Sequence, residues 1–107
     1  MTFKKLKHKY NAKPQLRDGH RFASKLEMRY AGILDMNKKA GELLFYLRQP
    51  RFDLPGGVKY YADFIEFWKN GDVVITDCKG VDTPVSNMKI KQVEEIYPVN
   101  IQIIRKV

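Results

Sequence analysis

Apolar and polar positions alternate most clearly on either side of Asn70-Gly71, where two strand-like runs meet. The first reads Tyr-Tyr-Ala-Asp-Phe-Ile-Glu-Phe-Trp from Tyr60, and the second reads Asp-Val-Val-Ile-Thr-Asp-Cys-Lys-Gly up to Gly80. A two-residue turn at Asn70-Gly71 would set Asp63 against Cys78. Asp63 and Asp77 would then point to opposite faces, because side chains alternate along a strand. A three-residue loop, Lys69-Asn70-Gly71 with Gly71 left-handed, instead sets Trp68 against Asp72 and Asp63 against Asp77. Only this loop gathers Ile65, Phe67, Val73 and Ile75 on one apolar face, with both aspartates at its end. Phe64, Glu66, Trp68, Asp72, Val74 and Thr76 then form a mixed face. The three-residue loop is the expected register.

Upstream, Leu26, Tyr30, Ile33 and Leu34 recur at the spacing of one helix face, which predicts a helix from Ser24 to a stop at Gly41. Ser24-Lys25-Leu26-Glu27 fits a capping box, with Glu27 folding back on the first turn. Glu42 to Arg48 reads as a short strand between Gly41 and Pro50, and Gln49 to Gly57, with two prolines and two glycines, reads as a connecting loop. Thr83 caps and Pro84 opens a second helix that ends before Pro98, with Val85, Met88, Val93 and Ile96 as its buried side. Asn100 to Arg105 alternates as a last strand, Ile101 and Ile103 on one face. The expected order is α-β-β-β-α-β.

The length of 107 residues suits one domain. No run approaches the roughly 18–20 apolar residues that span a bilayer, and the charged N-terminus does not resemble a signal peptide. The single cysteine, Cys78, excludes an intrachain disulfide and suits a reducing cytoplasm. The net charge of +8 is concentrated at one end. Residues 1–30 carry nine Lys/Arg against Asp18 and Glu27, or +7, and the remainder eleven against ten acids, or +1. Residues 1–20 therefore read as an extended basic arm with a turn at Asp18-Gly19, and residues 21–107 as a nearly neutral body. Such an arm is either a solvated tail or an electrostatic footprint for nucleic acid. Lys4, Lys5, Lys7, Lys9, Lys13, Arg17, Arg21 and Lys25 are its candidate phosphate contacts, with Lys89 and Lys91 on the second helix.

An aspartate about a dozen residues before an Asp-x-Lys, each on a strand, suits phosphodiester cleavage with a divalent metal. Hard carboxylate oxygens bind Mg²⁺, which keeps several waters and takes further ligands from substrate phosphate. Asp77 and Lys79 share a face, and a lysine there can orient the attacking water or neutralise the transition state. The carbonyl of Cys78 lies between them as a further candidate ligand. The bland alternative is a solvated ion pair on a sheet edge. His8 and His20 lack partners at ligand spacing, Cys78 has no base nearby in sequence, and Trp68, Tyr60, Tyr61 and Phe52 suit packing or base stacking.

Tyr61-Ala62-Asp63-Phe64, Asp77-Cys78-Lys79-Gly80 and Ser24-Lys25-Leu26-Glu27-Met28-Arg29-Tyr30, in this order and spacing, resemble the PD-(D/E)xK nuclease superfamily. Gln49-Pro50-Arg51-Phe52 and Gly80-Val81-Asp82-Thr83-Pro84 are further similar to a family of small phage-encoded proteins of unknown function within it. The likeness runs from about Lys9 to the end, with Ala62 where the motif name has proline and Ala23 where an acid is expected. It implies a single α/β domain with the restriction-endonuclease-like αβββαβ core, a central mixed sheet flanked by helices. It also implies roles: Asp63 as the bridging metal ligand, Asp77 as a ligand that positions the nucleophilic water, Lys79 as its electrostatic partner, and Glu27 completing the cluster directly or through water. The expected activity is a Mg²⁺- or Mn²⁺-dependent DNA endonuclease, in the cytoplasm of the host if phage-encoded. Branched or double-stranded DNA would be its partner, and resolution of four-way junctions by a homodimer the specific case. The alternative is a DNA-binding module that kept the fold and lost the chemistry.

Overall fold

The central hairpin forms around Gly71, whose φ of +96° is a conformation open to glycine and strained for other residues. Its N–H donates to the Trp68 carbonyl, and the Trp68 N–H donates to Asp72. In the computed structural model, which describes residues 15–17 and 20–107, this turn joins β6 (Phe64–Trp68) to β7 (Val73–Cys78). Phe64 pairs with Thr76, Ile65 with Ile75 and Phe67 with Val73, the register expected from the three-residue loop.

Around that hairpin the chain builds a mixed four-stranded sheet in the order β3-β6-β7-β8. β3 (Leu43–Arg48) runs antiparallel to β6, with a bulge between Leu43 and Phe45, and β8 (Ile101–Ile104) runs parallel to β7. Helix α1 (Lys25–Lys39) covers one face, where Phe22, Tyr30, Ala31, Leu34, Leu43 and Phe64 are buried together. Helix α2 (Pro84–Ile96) lies on the other, over Ile75 and Ile101. Parallel strands need a crossover, and α2 is the one between β7 and β8. The chain is thus a compact α/β domain with a mixed sheet and two helices.

Two further hairpins depart from the expected elements. β1 (Gln15–Arg17) pairs with β2 (His20–Phe22), so the first hairpin straddles the expected end of the basic arm. The expected connection at Gln49–Gly57 is in part a strand: β4 (Arg51–Leu54) turns through Pro55-Gly56-Gly57 and pairs with β5 (Val58–Tyr61). Both glycines have positive φ, so the residues that read as loop are the turn of a hairpin. Leu54 and Tyr60 from this hairpin are buried with Val93 of α2.

Burial also differs from the apolar count. The mixed face of the central hairpin is the deeper one: Phe64, Glu66 and Thr76 are buried under α1, whereas Val73 on the apolar face is 56% exposed. Glu66 is admitted because its carboxylate is surrounded by donors. It accepts from the Tyr30 hydroxyl at 2.7 Å, the Thr76 hydroxyl at 2.6 Å and the Trp68 indole at 3.1 Å. Buried polar groups persist where they are hydrogen-bonded, and period alone does not reveal it. On α2, Val93 is the buried residue, with Ile90 beside it. Val85, Met88 and Ile96, expected inside, are exposed. Both helix caps form: the Ser24 hydroxyl accepts from the Glu27 N–H, and Thr83 and Ser86 cap each other reciprocally.

Replacing Glu66 with leucine strands the Tyr30, Thr76 and Trp68 donors in an apolar surround. The expected loss is at least about 3 kcal/mol in urea unfolding, since each orphaned buried donor costs about 1–3 kcal/mol. A loss below about 1 kcal/mol would show that the donors find other partners.

Candidate functional site

Where β5 ends and β6 begins, the chain leaves one sheet for another, and Asp63 sits in that step. Four hydrogen bonds hold it there, three of them between backbone groups. The Asp63 N–H donates to the Thr76 carbonyl at 3.0 Å, its own carbonyl accepts from the Gln49 N–H at 3.0 Å, and the Ala62 N–H donates to the Pro50 carbonyl at 3.1 Å. The Cys78 N–H donates to Asp63 Oδ2 at 2.7 Å. The alanine at position 62 has a physical reason: a proline there would lack the N–H that reaches Pro50. Gln49 adopts a φ of +57°, which a non-glycine residue ahead of a proline takes up only when its surroundings compel it.

Asp77, on β7 beside Asp63, is 7% exposed, and its charge acts on the Asp63 carboxyl. Lys79 places its ammonium 3.8 Å from Asp77 Oδ2, both side chains nearly enclosed. The Tyr60 hydroxyl, brought in by the β4–β5 hairpin, donates to the same oxygen. From the opposite helix, Glu27 is 2% exposed; its Oε1 accepts from the Ala23 N–H at 3.2 Å and its Oε2 from Arg48 at 3.1 Å. The cap on Ser24 forms as expected, while the return contact of Glu27 falls one residue further back, on the Ala23 N–H. Arg48 also lies over the Phe22 ring, 4.0 Å from its centre.

The electrostatics follow from crowding acids in a shielded place. Burial, then the charges of Asp77 and Glu27, push the Asp63 carboxyl well above its ordinary 3.8, against the pull of the Cys78 N–H. Its residue keeps some exposed surface while the carboxyl itself is enclosed. Burial likewise raises Glu27, opposed by the Arg48 guanidinium. Burial and the Asp77 charge hold the Tyr60 phenol protonated, so it remains a donor. Burial and the surrounding acids push the Cys78 thiol upward too, and its side chain packs on the α1 side, away from Asp77. That environment suits a structural thiol and not a nucleophile.

Of the predicted residues, Asp63, Asp77 and Lys79 are brought together, and Glu27 is close enough for its charge to act on Asp63. Glu27 stands in an ion pair with Arg48. Among the described residues, no group of three or more histidine, cysteine, aspartate or glutamate side chains is gathered so as to hold a metal ion. Cys78, whose carbonyl was the remaining candidate ligand, is the last residue of β7. Lys25 is exposed on the first turn of α1. Lys89 reaches the Lys59 carbonyl at 3.4 Å, and Lys91 is exposed on α2. Lys4, Lys5, Lys7, Lys9 and Lys13 lie outside the described residues, as does the Asp18-Gly19 turn; Arg17 and Arg21 fall on β1 and β2. Sequence reasoning missed Arg48 and read Tyr60 as a packing or stacking aromatic. Neither stands at a motif spacing from the aspartates, and the strand that delivers Tyr60 read as the start of the central hairpin.

The fold and site together define a small α/β domain with one aspartate just ahead of β6 and another on the adjacent antiparallel β7. Its sequence from residue 7 to 107 matches the model of one family, described as "Protein of unknown function (DUF1064)". The chain belongs to that family. No curated protein and no solved structure matches it. No helix among the described residues is long and apolar enough to cross a membrane.

The raised Asp63 pKa has a consequence for stability. A carboxyl whose folded-state pKa exceeds its unfolded value stabilises the fold fully at pH below the unfolded value. That contribution is lost as pH rises through the folded value. Asparagine keeps the shape and carries no charge. In chelator-treated protein, Asp63→Asn should therefore raise Tm relative to the parent, by more at pH 8 than at pH 5. An advantage that stays flat or shrinks as pH rises would contradict the assignment.

Proposed function

We propose that this protein is a divalent-metal-dependent DNA endonuclease with the PD-(D/E)xK core, the β4–β5 hairpin being an insertion in the αβββαβ order. One observation carries the reading. Asp63 and Asp77 stand side by side at the outer ends of paired strands, each charge acting on the other, with the Lys79 ammonium 3.8 Å from Asp77 Oδ2. Two neighbouring, shielded carboxylates are a poor arrangement for a protein alone, because each raises the cost of ionising the other. A small hard cation relieves that cost. Mg²⁺ requires only one or two protein carboxylates, its remaining places going to water and substrate phosphate. The donor set therefore fits Mg²⁺ or Mn²⁺, held by Asp63 and Asp77.

A cation bound there supplies Lewis-acid charge and acidifies a water. The chain's own groups do the rest. Tyr60 and Lys79 both address Oδ2 of Asp77 and so restrict how that carboxylate turns. Lys79, shielded from solvent, neutralises charge that grows on the phosphate and orients the attacking water. Glu27, fixed by Arg48 and the Ala23 N–H, acts through water instead of as a direct ligand. The basic arm, Lys25, Lys89 and Lys91 hold the DNA backbone. Phage origin and junction resolution are the finer part of the proposal and rest on family resemblance. The competing reading, a DNA-binding module without catalysis, shares every one of these contacts except the cation.

Linear, nicked and four-way-junction DNA incubated with and without Mg²⁺ or Mn²⁺ separate the two. Metal-dependent cutting should be abolished by Asp77→Ala and reduced about 10²–10³-fold by Lys79→Ala, the usual cost of removing one charge-stabilising group. Salt-sensitive binding with no cutting of any substrate would overturn the enzyme in favour of the module.

Deleting residues 1–14, which leaves β1 in place, removes Lys4, Lys5, Lys7, Lys9 and Lys13. The slope of log affinity against log salt should flatten by as much as about four, since each lost phosphate contact removes about 0.9. An unchanged slope would show that the arm does not touch the backbone.

A further inference from the structure

We propose that Tyr60 sets the cation preference of the Asp63–Asp77 site. By engaging one oxygen of Asp77 it leaves each aspartate a single oxygen for metal, an arrangement that admits Mg²⁺ or Mn²⁺ and disfavours Ca²⁺. The inference rests on the metal-dependent reading above and goes on to say which cation the site selects. The oxygens of the three acids are unequally engaged. Asp63 Oδ2 accepts from the Cys78 N–H at 2.7 Å. Asp77 Oδ2 accepts from the Tyr60 hydroxyl and lies 3.8 Å from the Lys79 ammonium. Glu27 has both oxygens taken, one by the Ala23 N–H and one by Arg48. Among the described residues, no donor reaches Oδ1 of Asp63 or of Asp77, and neither of these oxygens is sealed from solvent. Each aspartate therefore presents one oxygen to a cation, and Glu27 presents none.

That count separates the common divalent cations. Ca²⁺ collects roughly six to eight oxygens and often takes both from one carboxylate, whereas Mg²⁺ manages with one or two carboxylates and keeps water in its other places. Two single oxygens meet the second demand and fall short of the first. A cation straddling both oxygens of Asp77 would approach Oδ2 against the Lys79 ammonium and displace the phenol.

Of the two groups on Oδ2, Tyr60 is the one that cannot swing aside. Its ring is buried with Leu54 and Val93 and lies 6.4 Å from the ring of Phe52. The β4–β5 hairpin that carries it is pinned on both strands. The Tyr97 hydroxyl donates to the Asp53 carbonyl at 2.7 Å, and the Lys89 ammonium to the Lys59 carbonyl at 3.4 Å. Groups that hydrogen-bond a ligating carboxylate fix its orientation and tune the metal it holds. Tyr60 is a positioning residue of this kind, acting on the cation through Asp77.

Mn²⁺ binding to the full chain without DNA is read from the electron paramagnetic resonance signal of the free ion, with Mg²⁺ and Ca²⁺ titrated as competitors. Asp77→Ala should remove the bound Mn²⁺. On the wild-type protein, Mg²⁺ should displace Mn²⁺ at lower concentration than Ca²⁺ does. Tyr60→Phe keeps the buried ring and removes the donor. It should shift the ratio of the two displacement constants about tenfold toward Ca²⁺, within the usual range for a group behind a metal ligand. Both cations are compared on one folded variant, so a loss of stability does not move the ratio. Tyr61→Phe, at the exposed next position of β5, should leave it unchanged. A wild type that prefers Ca²⁺, an unchanged ratio in Tyr60→Phe, or an equal shift in Tyr61→Phe would overturn the role of Tyr60 and leave the nuclease reading standing. A wild type that binds no Mn²⁺, or binding that survives Asp77→Ala, would overturn both.

Discussion

The register of β6 on β7 is the constraint from which the site descends. One residue more or fewer in the Lys69-Asn70-Gly71 loop would turn Asp63 to the other side of the sheet from Asp77, because facing alternates with every residue. Gly71 permits the loop through its positive φ, and the pairing of Phe64 with Thr76 carries the register to the far end. The acids meet about six residues from the turn that determines it. A local backbone preference is thereby converted into a long-range chemical arrangement.

The remaining groups arrive from elsewhere and complete what the hairpin begins. The chain leaves the central sheet after β3, makes the β4–β5 hairpin, and returns at Asp63. This excursion brings the Tyr60 hydroxyl to Asp77 and leaves Gln49 in a strained conformation. Helix α1 contributes Glu27 from the other side, held by Arg48 at the end of β3. Strain at Gln49 and like charges at Asp63 are both destabilising, and the two large buried clusters on either face of the sheet offset them. Placing unfavourable local features where chemistry is proposed, and stabilising them from outside, is a common arrangement in functional sites.

Much of this was legible in the sequence. Loop length, apolar segregation and the caps at Ser24 and Thr83 located both helices, the central hairpin and the last strand. The partnership of Asp63 and Asp77 followed from the same register. Three things were not legible, for different physical reasons. Pro55-Gly56-Gly57 signals a turn equally well inside a loop or between two strands, so β4 and β5 went unseen. Glu66 and Thr76 read only as members of a mixed face because the pattern assigns polarity without counting donors, and Tyr30 and Trp68 reach Glu66 only in three dimensions. Arg48 reads as the polar end of a strand, and its ion pair spans 21 positions in sequence.

The carboxylate of Glu66 carries an implication for how this domain can change over generations. With three donors converging on it, single substitutions at Tyr30, Glu66 or Thr76 each leave something polar and unmatched, while exchanging the whole set for apolar groups of similar shape can be nearly neutral. These positions are therefore energetically coupled, so that a concerted exchange costs less than the separate ones. The α1 side of the sheet has two stable vocabularies and few workable sentences between them.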